Sequence, residues 1–146
     1  MFTKTTIFAL TSIFLFGCTN QALIDAKKKD EEFARYAATL PEPSADYGIY
    51  PENYQDMIKQ YMSTHLKDPY SAKYSQFTAP KKEHAMENHK AIYGHSSCVL
   101  INAKNSYGAY TGDHLYWFFF KGGEIIRSQD TSTGFNIIYV GRPISC

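Results

Sequence analysis

The sequence predicts an α+β domain in which one amphipathic helix packs across a small antiparallel sheet of three to five strands. Three observations favour this fold: an apolar stripe of helical period near residue 54, a run at 115–120 that is apolar on both faces, and a Gly-Gly turn after that run. The chain has 146 residues and is 44% hydrophobic and 20% charged, which excludes wholesale disorder and allows a buried core.

The helix is predicted from Pro51 to Leu66. Proline suits the first helical position because its missing N–H has no partner there in any case. Asp68-Pro69 ends the helix, since the residue before a proline avoids the helical conformation. The apolar positions recur with helical spacing, as expected for the face that packs on a sheet: Tyr54, Met57, Ile58, Tyr61, Met62 and Leu66.

Extended segments follow the helix. We expect a short turn over 71–77 and an exposed polar loop over Lys81–Lys90. Gly122-Gly123 predicts a tight hairpin turn of the primed type, and Thr131–Gly134 predicts a second turn. Because 115–120 is apolar on both faces, we expect it to be a central strand with packing on each side. The predicted strands are Ser97–Asn102, Leu115–Phe120, Glu124–Ser128 and Asn136–Val140.

The N-terminus has the pattern of a secretory signal. Lys4 precedes an apolar run over Ile7–Phe16, which at helical rise covers about 15 Å and is too short to span a bilayer. We therefore expect a signal peptide over 1–17, a tether over 18–50 and a globular domain over 51–146.

Leu15-Phe16-Gly17-Cys18 resembles the lipobox of bacterial lipoproteins. The resemblance implies that Cys18 becomes the first residue of the mature chain and carries the acyl chains that hold it on a lipid bilayer. In that family an aspartate after the cysteine favours the inner membrane. Thr19 stands there instead, which implies an outer-membrane lipoprotein facing the periplasm.

The charge balance argues against a nucleic-acid partner. Once the leader with Lys4 is removed, 14 basic residues face 14 acidic ones, so the mature chain is neutral. Binding to a phosphate backbone requires a clear surplus of cations.

Cys98 and Cys146 remain after the leader. In an oxidising compartment, two cysteines of a small domain are predicted to form a disulfide. Two alternatives stay open: free thiols, or Cys98 as a nucleophile beside His95.

Neither metal ligands nor catalytic acids stand out. Four histidines invite a metal interpretation, but their spacing is not that of ligands on one helix or strand. A glycosidase would need two carboxylates at a defined separation, which the sequence does not give. No metal or other cofactor is predicted from these residues: His84, His89, His95, His114, Asp113, Glu124 and Asp130.

The segment Asn102–Gly112 is dense in amides, tyrosines and glycines, and it links two apolar strands. One interpretation is a recognition loop, since tyrosine rings offer flat amphipathic contact area. The other is a wide hairpin whose polar side chains cap its own backbone. The candidate partner-binding residues are Asn105, Ser106, Tyr107, Gly108 and Tyr110, together with Lys121.

Two further resemblances concern the mature chain. The motif at 66–74, Leu-Lys-Asp-Pro-Tyr-Ser-Ala-Lys-Tyr, followed by Cys98 and the motif Asn-Ala-Lys-Asn-Ser-Tyr-Gly-Ala-Tyr-Thr-Gly at 102–112, resembles a group of small exported proteins with no assigned activity. A second, weaker similarity is to membrane-bound inhibitors of C-type lysozyme. It is carried by Ser106, Gly108, Tyr110 and Lys121-Gly122.

The sequence therefore predicts a non-catalytic, membrane-anchored envelope lipoprotein that acts as a binding or assembly module, with an envelope protein as its partner. The alternative is an inhibitor of an incoming enzyme or a phage-exclusion factor, in which Ser106, Tyr110 and Lys121 insert into the target. A small hydrolase is the third possibility.

Overall fold

The structure, a computed structural model, describes residues 17–134, 136–139 and 142–146, with the side chains of the first helix described from residue 21 onward. The signal segment 1–16, with the first two positions of the lipobox, lies outside the described residues. The leader and the acylation of Cys18 therefore stay predictions.

The chain divides into two compact units, one ending at Leu40 and one over Pro41–Cys146. The first contains helix α1, Gly17–Ala38, whose side chains are mostly exposed. The first part of the predicted tether is therefore helical, and at 1.5 Å per residue the 22 residues of α1 extend about 33 Å. None of the described helices is long and apolar enough to cross a membrane.

The second unit begins at Pro41, not at Pro51, the start that the sequence predicts for the domain. Residues 41–50 pack with the sheet: the Glu42 amide donates to the Tyr93 hydroxyl at 2.9 Å, and Lys121 Nζ donates to the Asp46 carbonyl at 3.0 Å.

Helix α2, Tyr54–Met62, is the predicted amphipathic helix, but it is shorter than expected. The Ser63 and Thr64 hydroxyls donate to carbonyls of the last turn, which offers the backbone an alternative to further helical bonds. The chain continues to Leu66 in turns. Ile58 and Met62 on the stripe are buried, so the predicted packing face is confirmed.

Five strands form the main antiparallel sheet. The order is β1-β3-β4-β5, and β2 pairs with the part of β3 that β1 does not cover. A separate two-stranded ribbon pairs β6 with β7. The α+β class and the small antiparallel sheet are thereby confirmed. The strands are β1 Asp68–Ser75, β2 Lys81–Glu87, β3 Lys90–Lys104, β4 His114–Lys121, β5 Glu124–Asp130, β6 Ile137–Tyr139 and β7 Arg142–Pro143.

Two segments differ from expectation. The predicted turn at 71–77 lies largely in β1, and the predicted exposed loop at Lys81–Lys90 is strand β2 with its tight turn into β3. The loop prediction is wrong because Glu83 and His84 are buried in β2, where Arg142 contacts both side chains. Polar side chains can be buried when a cation pairs with them. The pattern of neighbouring residues in the sequence cannot reveal such a cation when it lies far away in the chain.

Successive side chains of β4 point to opposite faces of the sheet and divide the hydrophobic core into two clusters, as predicted for a central strand. On one face, Phe118 and Phe120 pack with Val99, Ile101 and helix α2. On the other face, Trp117 and Phe119 pack in a second cluster with buried residues of β2, β3 and the C-terminal segment: Ala85, Cys98, Ile138 and Ile144.

The hairpin between β4 and β5 turns at Gly122 and Gly123, with φ of +62° and +83°. Positive φ at both positions defines the primed turn that the sequence predicts, and only glycine adopts this conformation without strain.

Candidate functional site

The two motifs singled out in the sequence meet at one end of the sheet, where β1 begins, β3 ends and β4 begins. Asp68 lies opposite Lys104 in the ladder. The Lys104 amide donates to Ser71 Oγ at 3.0 Å, and the Tyr110 hydroxyl donates to the Ser71 carbonyl at 3.3 Å. Segments separated by some thirty residues are thus bonded directly through Ser71. We call the surface formed there by Tyr70, Lys73, Lys104, Tyr107 and Tyr110 the tyrosine–lysine surface.

Asn105 organises the loop between β3 and β4. Its side-chain oxygen accepts from the amides of Tyr107 at 2.9 Å and Ala109 at 3.1 Å. Its own amide donates to the Ala109 carbonyl, and the Gly108 amide donates to the Asn105 carbonyl. Asn105 therefore performs the turn chemistry of the hairpin interpretation, and it leaves the tyrosines of the loop to face outward.

The ring of Tyr110 has two cations near it. The ammonium groups of Lys73 and Lys104 are 4.5 and 5.4 Å from the centroid of its ring. Both distances fall within the range in which the negative face of an aromatic ring attracts a cation. The ring therefore holds two positive charges at one place on the surface.

Tyr70 and Tyr107 project into solvent. Tyr70 is 101% exposed, at an irregularity where β1 departs from regular pairing with β3. Tyr107 is 95% exposed at the tip of the β3–β4 loop, and Ser106 beside it is also exposed. A large ring held in water in this way leaves its apolar area available for contact with a partner.

Lys121 does not belong to this surface. It ends β4, whereas the loop precedes the first residue of β4, His114, so the strand separates them by about 24 Å. Its ammonium donates to the Asp46 carbonyl. Of the six predicted partner-binding residues, the structure therefore groups five, Asn105, Ser106, Tyr107, Gly108 and Tyr110, and separates the sixth.

Behind the loop lies a small cavity of about 50 Å³ that is bordered by His114 and Tyr116. His114 Nδ1 is 2.9 Å from Asp130 Oδ2, and the other oxygen of Asp130 accepts the Ser132 amide. Burial, together with the nearby Asp130 carboxylate, raises the pKa of Tyr116. These contacts join the start of β4 to the end of β5 and fix the base of the loop.

The other histidines lie elsewhere. His84 is buried against Tyr139, whose hydroxyl is 3.1 Å from Nε2, and burial, with the Arg142 charge, lowers the pKa of His84.

His95 lies near the rings of Tyr47 and Tyr50. Burial, followed by the charges of Lys82 and Lys121, lowers the pKa of His95. Within the described residues, no group of three acidic, histidine or cysteine side chains is placed to hold a metal ion.

Cys98 and Cys146 form the predicted disulfide, with the sulfurs 1.97 Å apart. Cys98 accordingly has no free thiol, and neither the nucleophile nor the free-thiol alternative fits the structure. Of the three acidic residues of the hydrolase interpretation, Glu124 begins β5 at the Lys121 end and is separated from the other two. Asp130 ends β5 beside the loop, and Asp113 directly precedes β4 at the same end of the sheet.

Sequence reasoning did not assign Tyr70, Lys73 or Lys104 to the site. A signal was present, since Tyr70, Ala72 and Tyr74 alternate with polar residues as in a strand. Had 68–75 been predicted as a strand, its pairing with the end of β3 would have been a natural expectation.

No protein-family model, curated protein or solved structure compared with this chain gives a match. The resemblances drawn from the motifs therefore stay predictions.

Proposed function

We propose that this chain is a non-catalytic binding module of a bacterial envelope, held on the membrane by acyl chains at Cys18, and that the tyrosine–lysine surface binds its partner. The observation that carries the proposal is the meeting of the two motifs at Ser71, where one hydroxyl and one carbonyl fix Lys104 and Tyr110. A surface whose elements are bonded in advance loses little entropy when it binds.

The chemistry gathered on this surface is that of recognition. It consists of exposed tyrosine rings, two lysines and the backbone of a capped loop. Tyrosine contributes large contact area at low entropic cost because it has only two side-chain torsions.

The anchor is supported by the lipobox-like motif and by the apolar run that precedes it. Each buried methylene contributes about 0.8 kcal/mol, so several acyl chains hold a protein on a bilayer almost permanently. Helix α1, which ends at Ala38, follows the proposed anchor in the chain and precedes the second unit.

The inhibitor alternative is not favoured by the geometry. It requires Ser106, Tyr110 and Lys121 to enter one target, whereas Lys121 lies at the far end of β4. Titration of the protein against a C-type lysozyme tests this alternative separately.

Membrane fractionation tests the anchor. We expect Cys18→Ala to move the protein from the membrane to the soluble fraction, because the variant has no thiol to acylate. Thr19→Ala is the matched control and should stay in the membrane fraction. Unchanged fractionation of Cys18→Ala would remove the anchor from the proposal.

Chemical cross-linking in intact envelopes tests the surface. Tyr107→Ala should reduce the yield of cross-linked products, since it removes the most exposed ring of the loop. Tyr50→Ala removes a partly exposed ring outside the surface and should leave the yield unchanged. Equal yields for both variants and the unaltered protein would show that the loop is only a structural turn.

A further inference from the structure

We infer that the tyrosine–lysine surface binds an acidic polysaccharide, a polymer of sugar rings that carry carboxylates. The inference rests on the proposed function, because it names the partner of the same surface. It follows from three features: two neighbouring lysines in no ion pair of the described residues, exposed rings that are all tyrosines, and the lack of an aliphatic centre.

The first feature is the charge at Tyr110. Lys73 and Lys104 approach the same ring, and neither belongs to an ion pair of the described residues. Asp68 lies opposite Lys104, but none of the ion pairs of the described residues joins its carboxylate to either lysine. Two like charges near one ring repel each other, so an anion bound close to both ammonium groups lowers the electrostatic free energy.

The mature chain as a whole is neutral, which makes this charge a local feature. Attraction of any polyanion to any part of the protein is therefore not expected. The anionic groups of the partner have to reach this one place.

The second feature is the identity of the exposed rings. Among the described residues, the large exposed side chains with apolar area at this end of the sheet are Tyr70, Tyr107 and Tyr110. A sugar ring presents C–H groups on its face, which pack on an aromatic ring, and hydroxyls at its edge, which bond with a tyrosine hydroxyl. Tyrosine combines both properties in one side chain.

The third feature is the composition between these rings. Protein–protein interfaces of ordinary size bury a centre that is more apolar than the rest of the surface, and lysine is depleted there. Here the exposed loop residues beside the tyrosines are small, and none has a large aliphatic side chain: Ser106, Gly108, Ala109, Thr111 and Gly112. A hydroxyl-rich polymer matches such a surface better than the apolar patch of another protein.

A binding assay with three polymers distinguishes the contribution of the sugar rings to affinity from that of the carboxylates. The detergent-solubilised full chain is titrated with alginate, which has both sugar rings and carboxylates. Poly-L-glutamate has the carboxylates alone, and dextran has the rings alone. We expect alginate to bind about tenfold more tightly than either of the other polymers.

Two pairs of substitutions then locate the site. Lys73→Glu with Lys104→Glu should weaken alginate binding by about tenfold or more, since two favourable contacts become repulsive. Lys28→Glu with Lys90→Glu makes the same change in net charge at exposed positions elsewhere and should bind as the unaltered protein does. If the first pair impairs folding, as seen in circular dichroism, Lys73→Gln with Lys104→Gln replaces it and should still weaken binding.

Tyr70→Ala with Tyr107→Ala distinguishes the kind of partner. This pair should reduce the affinity for alginate to that for poly-L-glutamate and leave the affinity for poly-L-glutamate unchanged. Equal or tighter binding of poly-L-glutamate by the unaltered protein would overturn the inference in favour of an acidic protein segment. The inference would also be overturned if alginate does not bind. The same holds if Lys73→Glu with Lys104→Glu leaves alginate binding intact, as the control pair should.

If this inference fails, the proposed function is still tested separately by cross-linking and fractionation. A protein that ignores alginate but loses cross-linked products in Tyr107→Ala is still a binding module, with a different partner. A protein that Cys18→Ala does not release is not the anchored module proposed, whatever polymer it binds.

Discussion

Reduction of the Cys98–Cys146 disulfide should lower the free energy of unfolding by about 4 kcal/mol. The bond joins residues 48 positions apart, and closing a loop of that length removes conformational entropy from the unfolded chain. The chain-entropy relation gives about 14 cal/mol/K for this loop, or about 4 kcal/mol at 25 °C. For a folded unit over 41–146, the same change lowers the melting temperature by about 15–20 °C.

The effect should arise in the unfolded state, because other contacts also hold the C-terminal segment in the folded state. Ile144 is buried in the second core cluster, its amide donates to the Asn136 carbonyl, and Lys81 Nζ donates to the Ser145 carbonyl. The reduced protein should therefore keep its native circular dichroism spectrum in the absence of denaturant.

Urea denaturation with and without reductant measures the difference. The Cys18→Ala form suits this assay, since it lacks the acyl chains and leaves only the two bonded cysteines. The dependence on urea should steepen on reduction, because the unbridged unfolded chain exposes more surface. Reductant should not affect a form in which Cys98 and Cys146 are also alanine. A loss of less than about 1 kcal/mol would refute the loop-closure reasoning, and loss of the native spectrum would refute the location of the effect.

Three other predictions concern stability. Gly94→Ala should cost about 3 kcal/mol, since its Cβ would lie 2.2 Å from the Phe120 carbonyl oxygen, within the backbone of β4. Gly123→Ala should cost only about 1 kcal/mol, because it has a positive φ but open space around it. Acid should destabilise the fold. Since the pKa values of His84 and His95 are lowered from 6.5 in the folded protein, the unfolded chain takes up more protons below that value. The free energy of unfolding should be level well above pH 6.5 and should fall as the pH drops through 6.5.

Urea denaturation checks all three. The two glycine variants serve as controls for each other, and a larger loss for Gly123→Ala would contradict the steric argument. For the acid effect, replacing both histidines by glutamine should flatten the slope that appears as the pH drops through 6.5. A slope that persists without them would assign the effect to other groups.

The fold was predictable where local chemistry acts alone. The period of the helical stripe, the alternation in β4 and the positive φ of Gly122 and Gly123 depend on neighbouring residues, and each is found in the structure. Strand β2 was not predictable, because Glu83 and His84 are made suitable for burial by Arg142, more than fifty residues away.

The candidate site shows the same distinction between features that depend on neighbouring residues and features that depend on distant ones. The loop Asn105–Tyr110 stands out from its composition, and the capping by Asn105 is local. Lys73 enters the site only because β1 pairs with the end of β3 and places its ammonium near the Tyr110 ring. Lys121 was grouped with the loop by analogy, and the length of β4 separates them.

The sequence by itself determined the α+β class, the amphipathic helix, the central strand and the primed turn. It favoured the pairing of Cys98 with Cys146, which the structure contains, and it predicts the acylated start. These features depend on composition, on residues within a few positions of each other, or on the small number of cysteines. Tertiary structure alone decided which distant side chains share a surface: the two motifs at Ser71, the two lysines at Tyr110 and the cation beside His84. The physical reason is that strand order and register set these distances, and both depend on contacts across the whole sheet.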